Sequence, residues 1–270
     1  MTAFSSLILL IAIAALAMSV VGYSNYLVEK AKQTAFKLEK MKVRVEELED
    51  VVLILDSLCE SRIIPKLVND EILSHYEAMI EIDDKAAYLK AGLSNAEVRA
   101  QELSDDSSPR YLSRICKSDA QMARYQTYLS ESLNILRRQQ MAGKISNQDL
   151  QTLTKEINWL QLQVKVISNI VQGHKAYVKT GVIAANGFYK KAQSELLKSS
   201  HPDPRRKEMI NQMADLLFGR RKSLDVHLMP ENEFNPDEIE LDDDVKELIL
   251  EQQAMLNEQN GAIDKPQAPL

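Results

Sequence analysis

The chain is poor in the residues that build sheets, tight turns and covalent cross-links. Its 270 residues include eight glycines, eight prolines and two cysteines, and alternating runs of β-branched residues are few. A β-sheet with tight hairpins therefore has little raw material, and the composition predicts an all-α protein. Cys59 and Cys116 show neither metal-ligand nor redox spacing, so we expect buried free thiols.

Signatures of catalysis are also missing from the sequence. It holds no phosphate-binding loop, dinucleotide fingerprint or zinc-protease spacing. Its four histidines do not form the repeated Glu-x-x-His pairs of a di-iron bundle. We therefore expect no metal, no cofactor and no enzymatic activity. A membrane-tethered enzyme that assembles acids and histidines in space is the lesser alternative.

The most informative absence is that of charge at the N-terminus. Residues 1–28 carry no Asp, Glu, Lys, Arg or His, and residues 4–21 are apolar apart from three serines. Eighteen helical residues at about 1.5 Å each approach the roughly 30 Å of a hydrocarbon core, which predicts a single transmembrane helix within residues 1–23. A cleaved signal peptide is the alternative, but residues 2–6 lack the basic start that such signals normally have.

Basic residues follow this apolar run and none precedes it, which predicts the orientation of the span. The basic residues closest to the run are Lys30, Lys32, Lys37, Lys40, Lys42 and Arg44. Because basic flanks stay in the cytoplasm, we expect the N-terminus outside and the remaining chain in the cytoplasm. The chain is thus expected to be a single-pass protein of the bacterial inner (plasma) membrane.

A heptad pattern continues from Leu27 to Cys59 without a break, and it predicts a coiled-coil stalk over residues 24–62. We call its centre the seam, and it is predicted to pair two copies of the chain. The seam residues are Leu38, Met41, Val45, Leu48, Val52 and Leu55. The alternative is that this helix packs within its own chain. Pro65 is expected to end or kink the first helix near Arg62.

Residues 63–229 are predicted to form a cytoplasmic helical domain of antiparallel hairpins, either a helical bundle or an arrangement like tetratricopeptide repeats. Short helices are expected over 66–82 and 85–103, and a longer one from Pro109 to about Ala142. The best-marked boundary follows Gly143, where Ser146 and Asp149 have the spacing of a capping box. Another helix is expected to begin after Asp203.

One hairpin within about residues 166–199 carries a pattern of small and aromatic residues: Gly173, Ala185, Tyr189 and Ala192. This pattern resembles one tetratricopeptide repeat, in which small residues let two antiparallel helices approach and an aromatic ring fills the gap. The resemblance covers about one repeat. It implies that the two antiparallel helices of this hairpin approach closely and that the Tyr189 ring fills the gap between them.

Residues 230–270 form an acidic tail with 12 acidic and 2 basic side chains, a net charge of −10. A largely disordered extension is expected, with a short amphipathic helix over 242–257. The residues expected to dock in a partner's groove are Val245, Leu248, Ile249 and Met255. The alternative is that this helix folds back on the body, for which the basic patch Arg220, Arg221 and Lys222 is the candidate surface.

These features predict a membrane-anchored, non-enzymatic scaffold or adaptor that positions a protein partner at the cytoplasmic face of the membrane. A self-assembling structural protein, such as the subunit of a ring, filament or lattice, is the main alternative. Residues 1–229 carry a net charge of only +4, which argues against a dedicated nucleic-acid binder.

Overall fold

The computed structural model of the chain describes residues 2–105, 111–231, 244, 246–252 and 254–255, and for residues 2–15 and 17 it describes the backbone alone. The described residues form helices, turns and irregular segments with no β-strand, so the protein is all-α. The helices are α1 (Thr2–Leu58), α2 (Ile63–Ile82), α3 (Ala87–Glu102), α4 (Asp119–Met141), α5 (Asn147–Thr180), α6 (Val182–Lys198) and α7 (Pro204–Leu217). Residues 244, 246–252 and 254–255 are also helical, and we call them the tail segment.

The chain divides into two compact units. Unit 1 comprises Met1–Asp50 and Asn69–Ser104, and unit 2 comprises Val51–Val68 and Asp105–Leu270. In unit 1 the Asn69 side chain donates to the Ala96 carbonyl at 2.9 Å and joins α2 to α3. Gly92 lets α3 approach the Tyr76 ring, because a Cβ at this position would lie 2.5 Å from Tyr76 Cε1.

Unit 2 is built on two consecutive antiparallel hairpins that share α5. Gln126 on α4 donates to the Gln161 carbonyl on α5 at 2.9 Å, and the short connection between the helices makes them antiparallel. Farther along α5, Lys165 pairs with Glu195 on α6 at 3.7 Å. The Gly173 backbone lies against the Tyr189 ring, since a Cβ on Gly173 would overlap that ring. These contacts bury one face of α5 against each neighbour.

The helix boundaries that the sequence marks with capping residues are confirmed. The Ser146 hydroxyl accepts from the Asp149 N–H, and the Asp149 carboxylate accepts from the Ser146 N–H, which completes the capping box of α5. Gly143 has a φ of +72°, as the turn before α5 requires. Asp203 caps α7, and Pro204 occupies its first turn.

Two boundaries differ from prediction. The first helix ends at Leu58 rather than near Arg62, and Pro65 lies in the first turn of α2, where its missing N–H has no intrahelical partner to lose. The predicted start of α4 at Pro109 is wrong, because residues 111–118 are not helical and α4 begins at Asp119. The Ser118 hydroxyl accepts from the Gln121 N–H at 3.2 Å and caps the helix.

The seam is buried by its own chain over most of its length. Val45, Leu48, Val52 and Leu55 are at most 2% exposed, so these four side chains are not available to a second copy in this fold. Leu38 and Met41 are half-buried. The burial of these four residues favours the alternative of packing within the chain, and pairing between chains stays a prediction.

The predicted anchor over residues 4–21 lies almost wholly outside the residues whose side chains the structure describes. Among the described residues, none of the helices combines the length and the apolar character needed to cross a bilayer.

Candidate functional site

A cavity of about 350 Å³ opens on unit 2 where the loop after α1, the first half of α5 and the start of α7 meet. Four of its residues share one face of α5 at helical spacing: Glu156, Trp159, Leu160 and Gln163. The remaining wall comes from loops and helix ends. Those residues are Glu60, Ser61, Lys155, His201, Asp203 and Arg205.

Trp159 forms the centre of this wall and is the one tryptophan of the sequence. His201 stacks on its ring at a centroid distance of 5.2 Å and an interplanar angle of 27°. The Arg205 guanidinium lies 5.2 Å from the same ring, within the range of cation–π attraction. The His201 ring is held in turn, because its Nε2 lies 3.0 Å from the Lys155 carbonyl and its Nδ1 accepts from the Asp203 N–H at 3.3 Å.

Asp203, Arg205 and Glu60 form a connected ion-pair network. Arg205 Nη2 lies 3.0 Å from Asp203 Oδ2, and Arg205 Nη1 donates to Glu60 Oε1 at 2.9 Å. Burial by itself raises the pKa of Asp203, but the hydrogen bonds and the charge of Arg205 outweigh it, so the pKa lies below its ordinary value. Asp203 is therefore charged and satisfied at neutral pH.

Glu156 is the acid of this cavity that has no oppositely charged partner among the described residues. Burial raises its pKa first, and the negative charge of Glu60 raises it further, while a hydrogen bond from the Ser61 N–H partly offsets both effects. Among the described residues no lysine or arginine pairs with it. The cavity thus presents a half-buried carboxylate that favours a positively charged neighbour.

A second polar cluster joins the non-helical segment before α4 to the start of the tail. The Arg114 side chain is 2% exposed and donates two hydrogen bonds to the Glu231 carboxylate, from Nε to Oε1 at 2.5 Å and from Nη2 to Oε2 at 3.0 Å. The Ser168 hydroxyl on α5 donates to the Arg114 carbonyl at 3.3 Å. Glu231 therefore fixes the point where the tail leaves the body. No local signal in the sequence pairs residues 117 positions apart.

The tail segment lies against the junction of α5 and α6. The side chain of Gln252 accepts from the Ile183 N–H at 3.0 Å, in the first turn of α6, where the N-cap Gly181 has no side chain to offer. Of the predicted docking residues, Ile249 is buried, whereas Leu248 and Met255 are exposed and Val245 lies outside the described residues. The described contacts of the segment thus belong to its own chain, and docking to another protein stays a prediction.

The basic patch does not form one cationic surface. Arg221 pairs with Asp225, and Arg220 lies 3.8 Å from Asp215 and over the Phe218 ring. Lys222 is exposed. Gln252 of the tail segment contacts the start of α6, and docking of this segment on the basic patch stays a prediction.

One group of potential metal ligands is present among the described residues, formed by Glu208, Asp225 and His227. His227 Nε2 lies 2.9 Å from Glu208 Oε1, and the Gln212 amide donates to Asp225 Oδ2 at 2.6 Å. The Arg221 guanidinium pairs with the other Asp225 oxygen and, together with Gln212, lowers the pKa of that acid. Because a cation already holds Asp225, the group is an ion-pair network rather than an open ligand set.

No known protein family, no curated protein and no solved structure matches this chain. The fold alone assigns the protein to the all-α class, built on consecutive helical hairpins.

Proposed function

We propose that the protein is a membrane-anchored, non-enzymatic scaffold that holds a protein partner at the cytoplasmic face of the inner membrane. The observation that carries the proposal is that the uncharged run of residues 1–28 lies, from Thr2 onward, within a single helix of 57 residues. One end of α1 suits lipid, and the other end belongs to a folded helical body. The absence of catalytic sequence motifs makes binding the role for which the body is suited.

The side chains that are described near the end of the apolar run support an anchor. Leu16, Met18, Val20 and Val21 are each at least 58% exposed in the isolated chain. A row of apolar side chains on all sides of a helix is costly in water and favourable in a hydrocarbon core. Tyr23 and the next tyrosine, three residues on, follow at the position where amphipathic rings prefer the headgroup layer.

The tail is the most acidic segment of the sequence, and its described residue Glu231 is held on unit 2. Glu231 is clamped by Arg114, so the acids that follow it start from one defined place on unit 2. An acidic segment tethered in this way raises the effective concentration of a basic partner near the body. The tail segment adds an amphipathic helix that a partner can take up in exchange for its intrachain contacts.

The anchor is tested by extracting membranes that contain the full chain with alkaline carbonate. In one variant, Leu10→Arg and Ile13→Arg place two charges in the apolar run, where each costs about 2.5–3.5 kcal/mol at the centre of a bilayer. The matched control, Phe36→Arg with Val43→Arg, places the same charges on exposed positions farther along α1. We expect the wild type and the control to remain in the membrane pellet and the first variant to move to the supernatant. Equal behaviour of all three would refute the anchor.

Self-assembly is the second candidate function, because the first part of the heptad pattern remains uncovered. Leu27 is 45% exposed, and Ala31 is also exposed. Light scattering of the detergent-solubilised full chain distinguishes the two functions. A dimer or larger species that becomes a monomer on Leu27→Lys substitution would favour assembly through α1, whereas a monomeric wild type favours the scaffold.

A further inference from the structure

The start of α6 has no cap from a neighbouring side chain. Gly181 is the one residue between α5 and α6, and its φ of +90° favours glycine over residues that carry a Cβ. The N-cap position therefore offers no side chain to the first N–H groups of the helix. The tail segment supplies an acceptor instead, because the Ile183 N–H donates to Gln252 Oε1 at 3.0 Å. A residue 69 positions away thus takes the role that a neighbouring serine or aspartate usually has.

The tail segment fits the α5–α6 junction closely. A Cβ on Gly181 would lie 2.6 Å from Gln252 Oε1, so this contact requires a residue without a side chain. Among the described residues of the segment, the buried ones are Ile249, which is 6% exposed, and Gln252, which is 8% exposed. They are three positions apart and share one face of the helical segment. The segment therefore docks through one apolar side chain and one amide.

Charge favours the same contact. The last two turns of α5 carry two exposed lysines, Lys175 and Lys179. The positive end of the α6 dipole lies at the same junction. The described residues of the tail segment have a net charge of −2, because they include one lysine and three acids: Lys246, Asp244, Glu247 and Glu251. The junction thus suits an acidic amphipathic helix.

The described contact is small, and this makes it reversible. One buried aliphatic side chain and one hydrogen bond hold a separate helix only weakly, and a free helix of about twelve residues is marginal in water. The tether changes this balance, since Arg114 holds Glu231 on unit 2 and twelve residues join Glu231 to Asp244. A short tether gives an effective concentration in the millimolar range. Attachment therefore keeps the tail segment at the junction, and the segment can leave without unfolding the body.

We propose that the α5–α6 junction is a docking site for an acidic amphipathic helix and that the chain's own tail segment is its occupant. The tail segment caps α6 from a distance and covers the junction until it is released. Release uncovers the start of α6 and frees the apolar face of the tail segment in the same step. The inference goes beyond the scaffold function and does not depend on the membrane anchor, because every residue that carries it belongs to unit 2.

The amide hydrogen of Ile183 reports on the occupant, because its exchange with solvent is slow only while an acceptor holds it. The experiment measures hydrogen exchange in the first turn of α6 in the detergent-solubilised full chain. Ile249→Asp places a charge at a buried position and should release the segment, so exchange should become about tenfold faster or more. The matched control, Leu250→Asp, places the same charge on a side chain that is 67% exposed and should leave the rate within about twofold of the wild type.

A second arm tests whether the junction accepts the helix as a separate molecule. A synthetic peptide of residues 244–255, acetylated and amidated, is added to the Ile249→Asp protein at about 1–10 mM, which matches the effective concentration of a short tether. It should restore slow exchange of Ile183, and the same peptide with Ile249→Asp should not. Adding Gly181→Ala to the protein should abolish the protection. Gly219→Ala should not, because Gly219 also has a positive φ, +69°, but a Cβ there meets no atom within 4 Å.

Four results would overturn the inference. They are equal exchange in the two aspartate variants, no protection by the peptide up to about 10 mM, equal protection by the aspartate peptide, or protection that persists with Gly181→Ala. Trp159 fluorescence should be the same in both aspartate variants, because neither position belongs to α1–α7, so fast exchange cannot be attributed to unfolding. Carbonate extraction is independent of all four results. A failure of tail docking is therefore distinguishable from a failure of the membrane anchor.

Discussion

Acidification should destabilise unit 2 through one buried histidine. His174 is 2% exposed on α5, and the Tyr189 ring approaches it edge-on at a centroid distance of 5.8 Å. Burial lowers the pKa of His174 from its ordinary 6.5 to about 4, because a charged imidazolium would lose its hydration in the core. Between these two pH values the unfolded chain binds a proton at this residue that the folded chain does not bind.

The size of this effect follows from the two pKa values. The stabilising contribution of neutral His174 is complete above pH 6.5 and is lost as the pH falls toward 4. With 1.36 kcal/mol per pKa unit, the loss relative to pH 8 is about 1.4 kcal/mol at pH 5.5 and about 3 kcal/mol at pH 4. A loss of this size is a large part of the stability of an ordinary domain.

Urea denaturation at pH 8 and pH 5.5, followed by Trp159 fluorescence, measures this loss because the tryptophan lies in the same unit. His174→Leu removes the titrating group while all other acids and bases stay the same. The fall in unfolding free energy from pH 8 to pH 5.5 should be about 1.4 kcal/mol larger in the wild type than in the variant. A difference below about 0.5 kcal/mol, or a histidine NMR titration of His174 near pH 6.5, would refute the reasoning.

Three further perturbations test the contacts that shape unit 2. Arg114→Met leaves the Glu231 carboxylate buried without its partner, so it should lower the unfolding free energy measured by urea denaturation by about 3–5 kcal/mol. Removing both charges should cost clearly less than the sum of the two single changes, and additive costs would contradict a coupled pair. Gly173→Ala pushes a methyl group into the Tyr189 ring and should destabilise the protein by about 1–3 kcal/mol. Gly187→Ala meets open space and should stabilise its helix by up to about 1 kcal/mol. Equal shifts in melting temperature for the two variants would show that Gly173 does not approach Tyr189 closely. Gln252→Ala removes an acceptor worth about 1 kcal/mol, so protease cleavage of the tail should become about fivefold faster, and an unchanged rate would mean that the tail segment is not held there.

The features that the sequence predicted correctly depend on neighbouring residues. The capping box at Ser146 and Asp149, the turn at Gly143 and the cap at Asp203 are each determined within a few positions. The repeat-like pattern of small and aromatic residues lies within one hairpin, and the structure places Gly173 against the Tyr189 ring there. The all-α class follows from the same helical periodicity.

The features that sequence reasoning missed depend on residues far apart in the chain. Arg114 and Glu231 are separated by more than a hundred positions, and neither lies in a recognisable motif. The start of α4 was misplaced because Ile115 continues the apolar spacing of the helix although it precedes the Ser118 cap. Heptad spacing alone also cannot show whether a seam packs against a second chain or within its own chain. Val45, for example, is buried in the fold of the single chain.

The central claim is that residues 4–21 anchor a helical body on the cytoplasmic side of the membrane, and a pair of topology reporters tests it most directly. The full chain carries, after Leu270, either a reporter that is active only in the periplasm or one that is active only in the cytoplasm. The account predicts a silent periplasmic reporter and an active cytoplasmic reporter, both recovered in the membrane fraction. Activity of the periplasmic reporter, or recovery of the fusions in the soluble fraction, would contradict it.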